Sequence, residues 1–271
     1  MKNIFIFFLI LLSMVVQGQE LYVFSEPASN MPAHTLSPKF KMVGAGRQGQ
    51  PHFLRYTPEL MFGFSKEFML HAATTFSNMH TQSINWESAY IYGKYRFLSR
   101  DDVHRHFRMA AFAEAGYSRN PLYFDEISVR GDNSGFDLGV IATQLVNKTA
   151  VSASLSYLSV YGDETENLHH TLARSALNYS LSAGYLVLPR VYENFDQLNF
   201  NIYTEILAQQ VLNKNAYFID MAPAIQFIFN SNSKLNIGYR FQLNGNALRA
   251  VERSYLVSFE HTFFNALKKR K

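Results

Sequence analysis

Cysteine is absent from the 271-residue chain, which excludes a disulfide framework, a thiolate zinc site and anchoring through an acylated cysteine. Past the first 16 residues there is no run of ~18 apolar residues, so membrane-spanning helices are excluded. Charge of one sign is also lacking. The 25 Lys and Arg stand against 21 Asp and Glu, too even a balance for a nucleic-acid surface, and no nucleic-acid partner is expected. Gly-x-Ser-x-Gly, a phosphate-binding Walker loop and His-Glu-x-x-His are missing, which removes the best-defined signatures of esterases, nucleotide hydrolases and zinc peptidases. No Pro/Gly/Ser-rich linker divides the later chain, so one domain is expected.

What is present begins with a leader. Lys2 precedes the apolar run Ile4-Phe5-Ile6-Phe7-Phe8-Leu9-Ile10-Leu11-Leu12, extended by Met14, Val15 and Val16 and closed by Gln17-Gly18-Gln19. A basic start, an apolar core too short to span a bilayer and a small residue at the exit predict a Sec-type signal peptide over 1–19, cut after Gly18 or Gln19. Residues 20–37 form an extended N-terminal segment. With Pro27, Pro32 and Pro38 at hand, the region up to Pro38 is unsuited to a central strand; a disordered periplasmic terminus is expected, a short plug in a lumen being the other reading. Residues 265–271, ending Lys268-Lys269-Arg270-Lys271, read as a solvated basic tail.

Between them, from 38 to 264, the chain alternates with period two. In Leu235-Asn236-Ile237-Gly238-Tyr239-Arg240-Phe241-Gln242-Leu243 every odd position is large and apolar and every even one is polar or Gly. Val151, Ala153, Leu155 and Tyr157 alternate with Ser152, Ser154 and Ser156, and Leu177, Tyr179, Leu181, Ala183 and Tyr185 with Asn178, Ser180, Ser182 and Gly184. Successive strand side chains point to opposite faces, so one face is greasy and the other carries small polar groups suited to a hydrated or tightly packed lumen. Twelve such segments lie near 38–46, 53–65, 67–77, 86–98, 105–117, 135–146, 149–161, 174–188, 197–211, 216–229, 234–244 and 252–264. Most exceed the about 5–6 residues of ordinary strands.

The links alternate too. Ser65-Lys66-Glu67, Asn147-Lys148 and Asn230-Ser231-Asn232-Ser233 are tight, whereas 118–134 and 162–172 are long; short turns at one end and long loops at the other are the habit of outer-membrane barrels. The link at Asn213-Lys214-Asn215 is short on the long side, and 189–196 is long on the short side. Tyr56, Tyr95, Phe97, Tyr117, Tyr161, Tyr185 and Phe263 sit near segment ends, where interfacial aromatics belong. The expected fold is therefore all-β, a transmembrane antiparallel up-and-down β-barrel of about 12 strands, within roughly 10–14.

The last segment, with Tyr255, Val257, Phe259 and Phe263 in its apolar row, resembles the C-terminal strand of outer-membrane barrels. That likeness implies recognition by the barrel-assembly machinery, although His261 interrupts the row and Asn265 to Lys271 follow it. The Gln17-Gly18-Gln19-Glu20 junction and Glu26-Pro27-Ala28-Ser29-Asn30-Met31-Pro32 resemble those of Bacteroidota outer-membrane barrels to which no activity is assigned. The implied location is the outer membrane of a Gram-negative bacterium, with outer-membrane lipid as surrounding partner.

The alternation places Glu59, His71, Lys94, Arg96, Arg108, Glu114, Asp137, Glu205, Asp220, Arg240 and Glu260 on the inward row, as a closed salt-bridged interior or a charged constriction. Tyr123, Phe124, Asp125, Glu126 and Arg130 are the outer-loop candidates for partner binding. No metal site or cofactor is expected: His104 with His106, His169 with His170, and Met79-His80 do not bring together the convergent ligands that a metal site needs. No catalytic residue is assigned, because Ser–His pairs such as His261 with Ser258 or Ser254, and His71 with Ser77, arise by chance where Ser is abundant. The expected function is a porin-like channel or transport component for a small solute. A structural or partner-binding barrel and a lipid-modifying enzyme are the alternatives.

Overall fold

A computed structural model describes residues 22–46, 52–81, 83–162, 171–191 and 196–268. The leader over 1–19, most of the 162–172 loop with His169 and His170, and the end of the basic tail lie outside the described residues. Twelve strands follow in order: β1 (Thr35–Ala45), β2 (Phe53–Gly63), β3 (Phe68–Ser77), β4 (Asn85–Asp102), β5 (Arg105–Ser118), β6 (Ser134–Val146), β7 (Thr149–Tyr161), β8 (Ser175–Leu188), β9 (Asn199–Val211), β10 (Tyr217–Phe229), β11 (Ser233–Gly245) and β12 (Arg253–His261). Each pairs antiparallel with its chain neighbours, and β1 pairs with β12, so the sheet closes into a barrel without an edge. This is the up-and-down transmembrane barrel.

The distribution of side chains is inside-out. On β7, Val151, Leu155 and Tyr157 are 42–49% exposed while Ser152 and Ser156 are buried; Ile91 and Tyr95 on β4 are exposed while Tyr92 and Lys94 are buried. An outer wall of Leu, Val, Ile and Phe is stable only where hydrocarbon covers it, and closure leaves no unpaired sheet edge within it. Aromatic side chains mark both rims of this wall. Trp86 stacks on Tyr117 at the long-loop end, and Phe64 on Phe68 at the tight-turn end. The tight turns are built from residues in the left-handed region: Asn147 at φ 53° between β6 and β7, and Asn230 and Ser231 at φ 49° and 57° between β10 and β11. That backbone matches the twist of two-residue hairpins.

Two expectations need correction. β1 begins at Thr35, so Pro38 lies inside a strand. Lacking an N–H, it interrupts the closing ladder: β1 and β12 pair from Lys39↔Glu260 to Gly44↔Tyr255 and resume in a single bridge at Leu36↔Phe263, with the gap at Pro38. The Ser37 hydroxyl donates to Thr262 Oγ1 at 2.7 Å across that gap. Secondly, the N-terminal segment is not a disordered terminus in its described part. From Tyr22 to Met31 it runs inside the barrel, because the buried faces of the strands offer it acceptors and donors that pair its backbone.

Candidate functional site

The lumen is occupied by two pieces of the chain's own backbone. The Glu205 carboxylate, fully buried on β9, accepts the backbone N–H groups of Val23, Phe24 and Ser25 at 3.0, 2.9 and 2.8 Å. Ala28 N–H donates to Thr143 Oγ1 on β6 at 2.9 Å. From β4, Lys94 Nζ donates to the carbonyls of Pro27 and Ser29 at 2.7 and 3.0 Å and lies 3.5 Å from Glu26. Burial alone pushes the Glu26 carboxyl up, but the surrounding positive charges, Lys94 foremost, hold it down at about 2. Phe24 fills the space that a side chain at Gly238 would take: a Cβ there would meet its ring at 2.5 Å.

The second piece is the β5–β6 loop. It does not project from the barrel mouth. Its Leu122, Ile127 and Val129 pack with Leu158, Val160, Ala176 and Val211, and Gln209 clamps Ile127 through both its N–H and its carbonyl at 3.0 and 2.9 Å. The outer-loop candidates are split accordingly. Tyr123, 41% exposed, and Phe124 stay at the mouth with rings 4.9 Å apart. Asp125 turns in to Lys214 at 2.6 Å, Glu126 to Arg240 and Arg249, each at 2.9 Å, and Arg130 to Glu114 at 2.8 Å. Burial favours the neutral Glu126 carboxyl, yet the two guanidinium groups keep it below the usual carboxylate range.

Of the inward-row candidates, Glu59, His71, Lys94, Glu114, Glu205, Asp220 and Glu260 are buried, and Arg96, Arg108, Asp137 and Arg240 are half-buried. They do not form one constriction but separate, mostly paired clusters. Asp220 receives both Arg240 and Arg249, and Arg249 lies 4.0 Å over the Phe218 ring. Arg108 joins Asp101 to Ser29, Lys234 meets Glu260 at 2.8 Å, and Glu59 holds His71 Nδ1 at 2.8 Å. Asp137 faces Asn178 at 3.4 Å. Arg96 lies beside an irregularity at Arg96/Leu98 in the pairing of β4 with β5.

Sequence reasoning missed Arg55, Glu87 and Arg249. Arg55 bonds Glu87 at 2.9 Å and Asp132 at 2.6 Å; its signal was available, two strand periods from Glu59 on the same face. His80, Glu87 and Asp132 place possible metal-ligating atoms within 4.8 Å of one another. Arg55 already supplies the cation between the two carboxylates, with His80 Nε2 3.8 Å from Glu87. The serine–histidine pairs are not assembled: His261 Nδ1 meets Ser233 Oγ at 2.7 Å instead, Ser258 accepts from Asn236, and His71 is engaged by Glu59. Among the described residues no carboxylate orients His261.

Around these pieces cavities remain in the lumen, among them two of about 240 and 230 Å3. Both are bounded by Phe24, Ser25 and Glu26, and both carry charges of either sign, Glu114 and Arg240 in one, Lys39, Lys41 and Glu59 in the other.

No protein-family model and no curated protein sequence matches the chain. Solved structures do. An outer membrane channel from Pseudomonas putida F1 superposes with a TM-score of 0.54 at 12% identity, covering 89% of this chain and 100% of that one. The NanC porin gives 0.52 at 11% identity over 83% and 98%, and the KdgM porin in complex with disordered oligogalacturonate 0.51 at 11% over 84% and 99%. At such identities the likeness shows the fold, that of an outer-membrane β-barrel.

Proposed function

We propose that this chain is a porin-like outer-membrane channel for small polar solutes, closed at rest by its own N-terminal segment. The observation that carries the reading is the placement of the N-terminal segment in the lumen, where Phe24, Ser25 and Glu26 bound two cavities and the hold is noncovalent: polar contacts to Glu205, Thr143 and Lys94 and packing of Tyr22, Phe24 and Ala28 on the wall. Supporting it are the inside-out wall, which fits only a bilayer, and the fold shared with porins and channels. The balanced charges around the cavities favour polar permeants without strong preference for either sign. On the same reading the protein reaches the outer membrane of a Gram-negative, Bacteroidota-type cell through the signal peptide over 1–19 and the barrel-assembly machinery, with the tight turns on the periplasmic side. No catalytic role is assigned.

The test is planar-bilayer conductance of the refolded mature chain beside a form lacking residues 20–31, each first shown to be a folded barrel by heat-modifiability. The intact chain should be silent or open rarely, and the truncated one should give stable steps. A folded, truncated barrel that stays silent would refute the channel. A second reading, partner binding at the mouth, rests on exposed Tyr123 beside Phe124, and replacing both by Ser should abolish partner capture without altering conductance.

A further inference from the structure

Near the tight-turn end, a third cavity of about 150 Å3 is lined by Met31, Met61, Met69 and His71 among others. The register explains the convergence. Met61 on β2 stands directly opposite His71 on β3, and Gly63 opposite Met69. Met69 and His71 are two residues apart on one strand and share its inner face. Gly63 has no side chain, and its space admits the Pro32 carbonyl, the Thr35 hydroxyl and, 2.9 Å from where a Cβ would stand, the Cγ of Met31 of the N-terminal segment. Three thioethers and one imidazole are thus brought to one patch of wall by two strands and the plug.

His71 is the second observation. It is 2% exposed, its Nδ1 lies 2.8 Å from Glu59, and its Nε2 is buried without a hydrogen-bond partner. A carboxylate accepts, so Nδ1 carries a proton, and Nε2 is the ring atom left for a further partner. A carboxylate on one ring nitrogen with the other left free is the arrangement that orients metal-binding histidines. A buried ring nitrogen without a partner calls for an explanation, and here the ring lines a cavity walled by three thioethers.

We propose that Met31, Met61, Met69 and His71 form a binding site for a soft monovalent metal ion, Cu+ or Ag+, with Glu59 as positioning residue. Thioether sulfur selects soft ions over Zn2+, Mg2+ or Ca2+. The three thioethers carry no charge, and the cavity is lined by Lys39, Arg108 and Lys234 as well as Glu26 and Glu260, so the lower charge of a monovalent ion costs less to hold there than that of a divalent one. The site stands independently of the channel reading. Because Met31 belongs to the N-terminal segment, a bound ion ties that segment to β2 and β3.

Calorimetric titration of the refolded full-length mature chain with Ag+ tests it. One ion should bind per barrel, and Zn2+ should not. Met61→Leu/Met69→Leu, a volume-conserving change that the fold tolerates, should weaken Ag+ by at least about tenfold, whereas Met42→Leu should leave it unchanged. In ε-13C-methyl-Met spectra Ag+ should shift the Met31, Met61 and Met69 signals and spare Met42, a readout that needs no variant. No Ag+ uptake, uptake unaffected by the double substitution, or shifts confined to other methionines would overturn the proposal.

Discussion

Glu205→Ala should release the N-terminal segment from the lumen. The carboxylate accepts three backbone N–H groups at 2.8–3.0 Å and the Ser182 hydroxyl at 3.1 Å. A hydrogen bond to a charged acceptor contributes about 1.5–3 kcal/mol net, so the three backbone bonds give roughly 4.5–9 kcal/mol. Holding a carboxylate away from water costs several kcal/mol in return, which leaves roughly 2–4 kcal/mol favouring the docked segment. At about 1.4 kcal/mol per factor of ten, the undocked fraction should rise roughly 30- to 700-fold. Hydrogen exchange at the Val23, Phe24 and Ser25 amides reads this directly, since they exchange through undocking. Glu205→Gln, which keeps one neutral acceptor oxygen, should fall between. Equal exchange in the wild type and Glu205→Ala would show that the segment is held by something other than this carboxylate.

Three further outcomes follow from the same contacts. Gly238→Ala should loosen the segment from β11, because a Cβ meets the Phe24 ring at 2.5 Å; faster exchange at Phe24 in a barrel of unchanged heat-modifiability is the expected result. Glu26 has its carboxyl lowered from an ordinary 4.5 to about 2, so its contribution to docking is complete above pH 4.5 and declines as the pH falls from there toward 2. Amide protection, corrected for intrinsic exchange rates, should drop in that window, and Glu26→Gln should flatten the dependence. Arg249→Ala leaves buried Asp220 and Glu126 with Arg240 alone; breaking such a cluster costs about 3–5 kcal/mol and should lower the temperature of the heat-modifiability transition.

The barrel was legible because its signal is redundant. Twelve alternating segments agree on one greasy face, and a slip of one residue anywhere would put Leu and Ile into the lumen. The termini of strands were less so: β1 takes in Pro38, as β2 takes in Pro58 and β10 Pro223, because a closed barrel can spare a ladder bond. The site was legible only where alternation holds. Glu87 shows why. In the β3–β4 ladder Thr75 faces Ser88 and Phe76 faces Trp86, which leaves Glu87 as the extra residue, and both Glu87 and Ser88 are buried. A bulge re-aims a side chain, and no period-two count finds it. Arg249 comes from the β11–β12 loop and reaches Asp220 by a fold-back that has no local pattern. The plug was hidden for a similar reason, since its bonds are made by backbone groups that every sequence possesses.

The seam between β1 and β12 joins residues more than 200 positions apart, such as Lys39 and Glu260, and like the β2–β3 ladder at Pro58 and the β10–β11 ladder at Pro223 it is interrupted at a proline. Contacts of such sequence separation form late. The plug leads directly into β1 and bonds across the lumen to β4, β6 and β9. It therefore acts as a tether during assembly, raising the effective concentration of the first strand at the last one, and the barrel is filled as it shuts rather than afterwards. A chain without residues 20–31 should accordingly reach its heat-resistant form more slowly on refolding, so that the same short segment fills the lumen and sets when the cylinder closes.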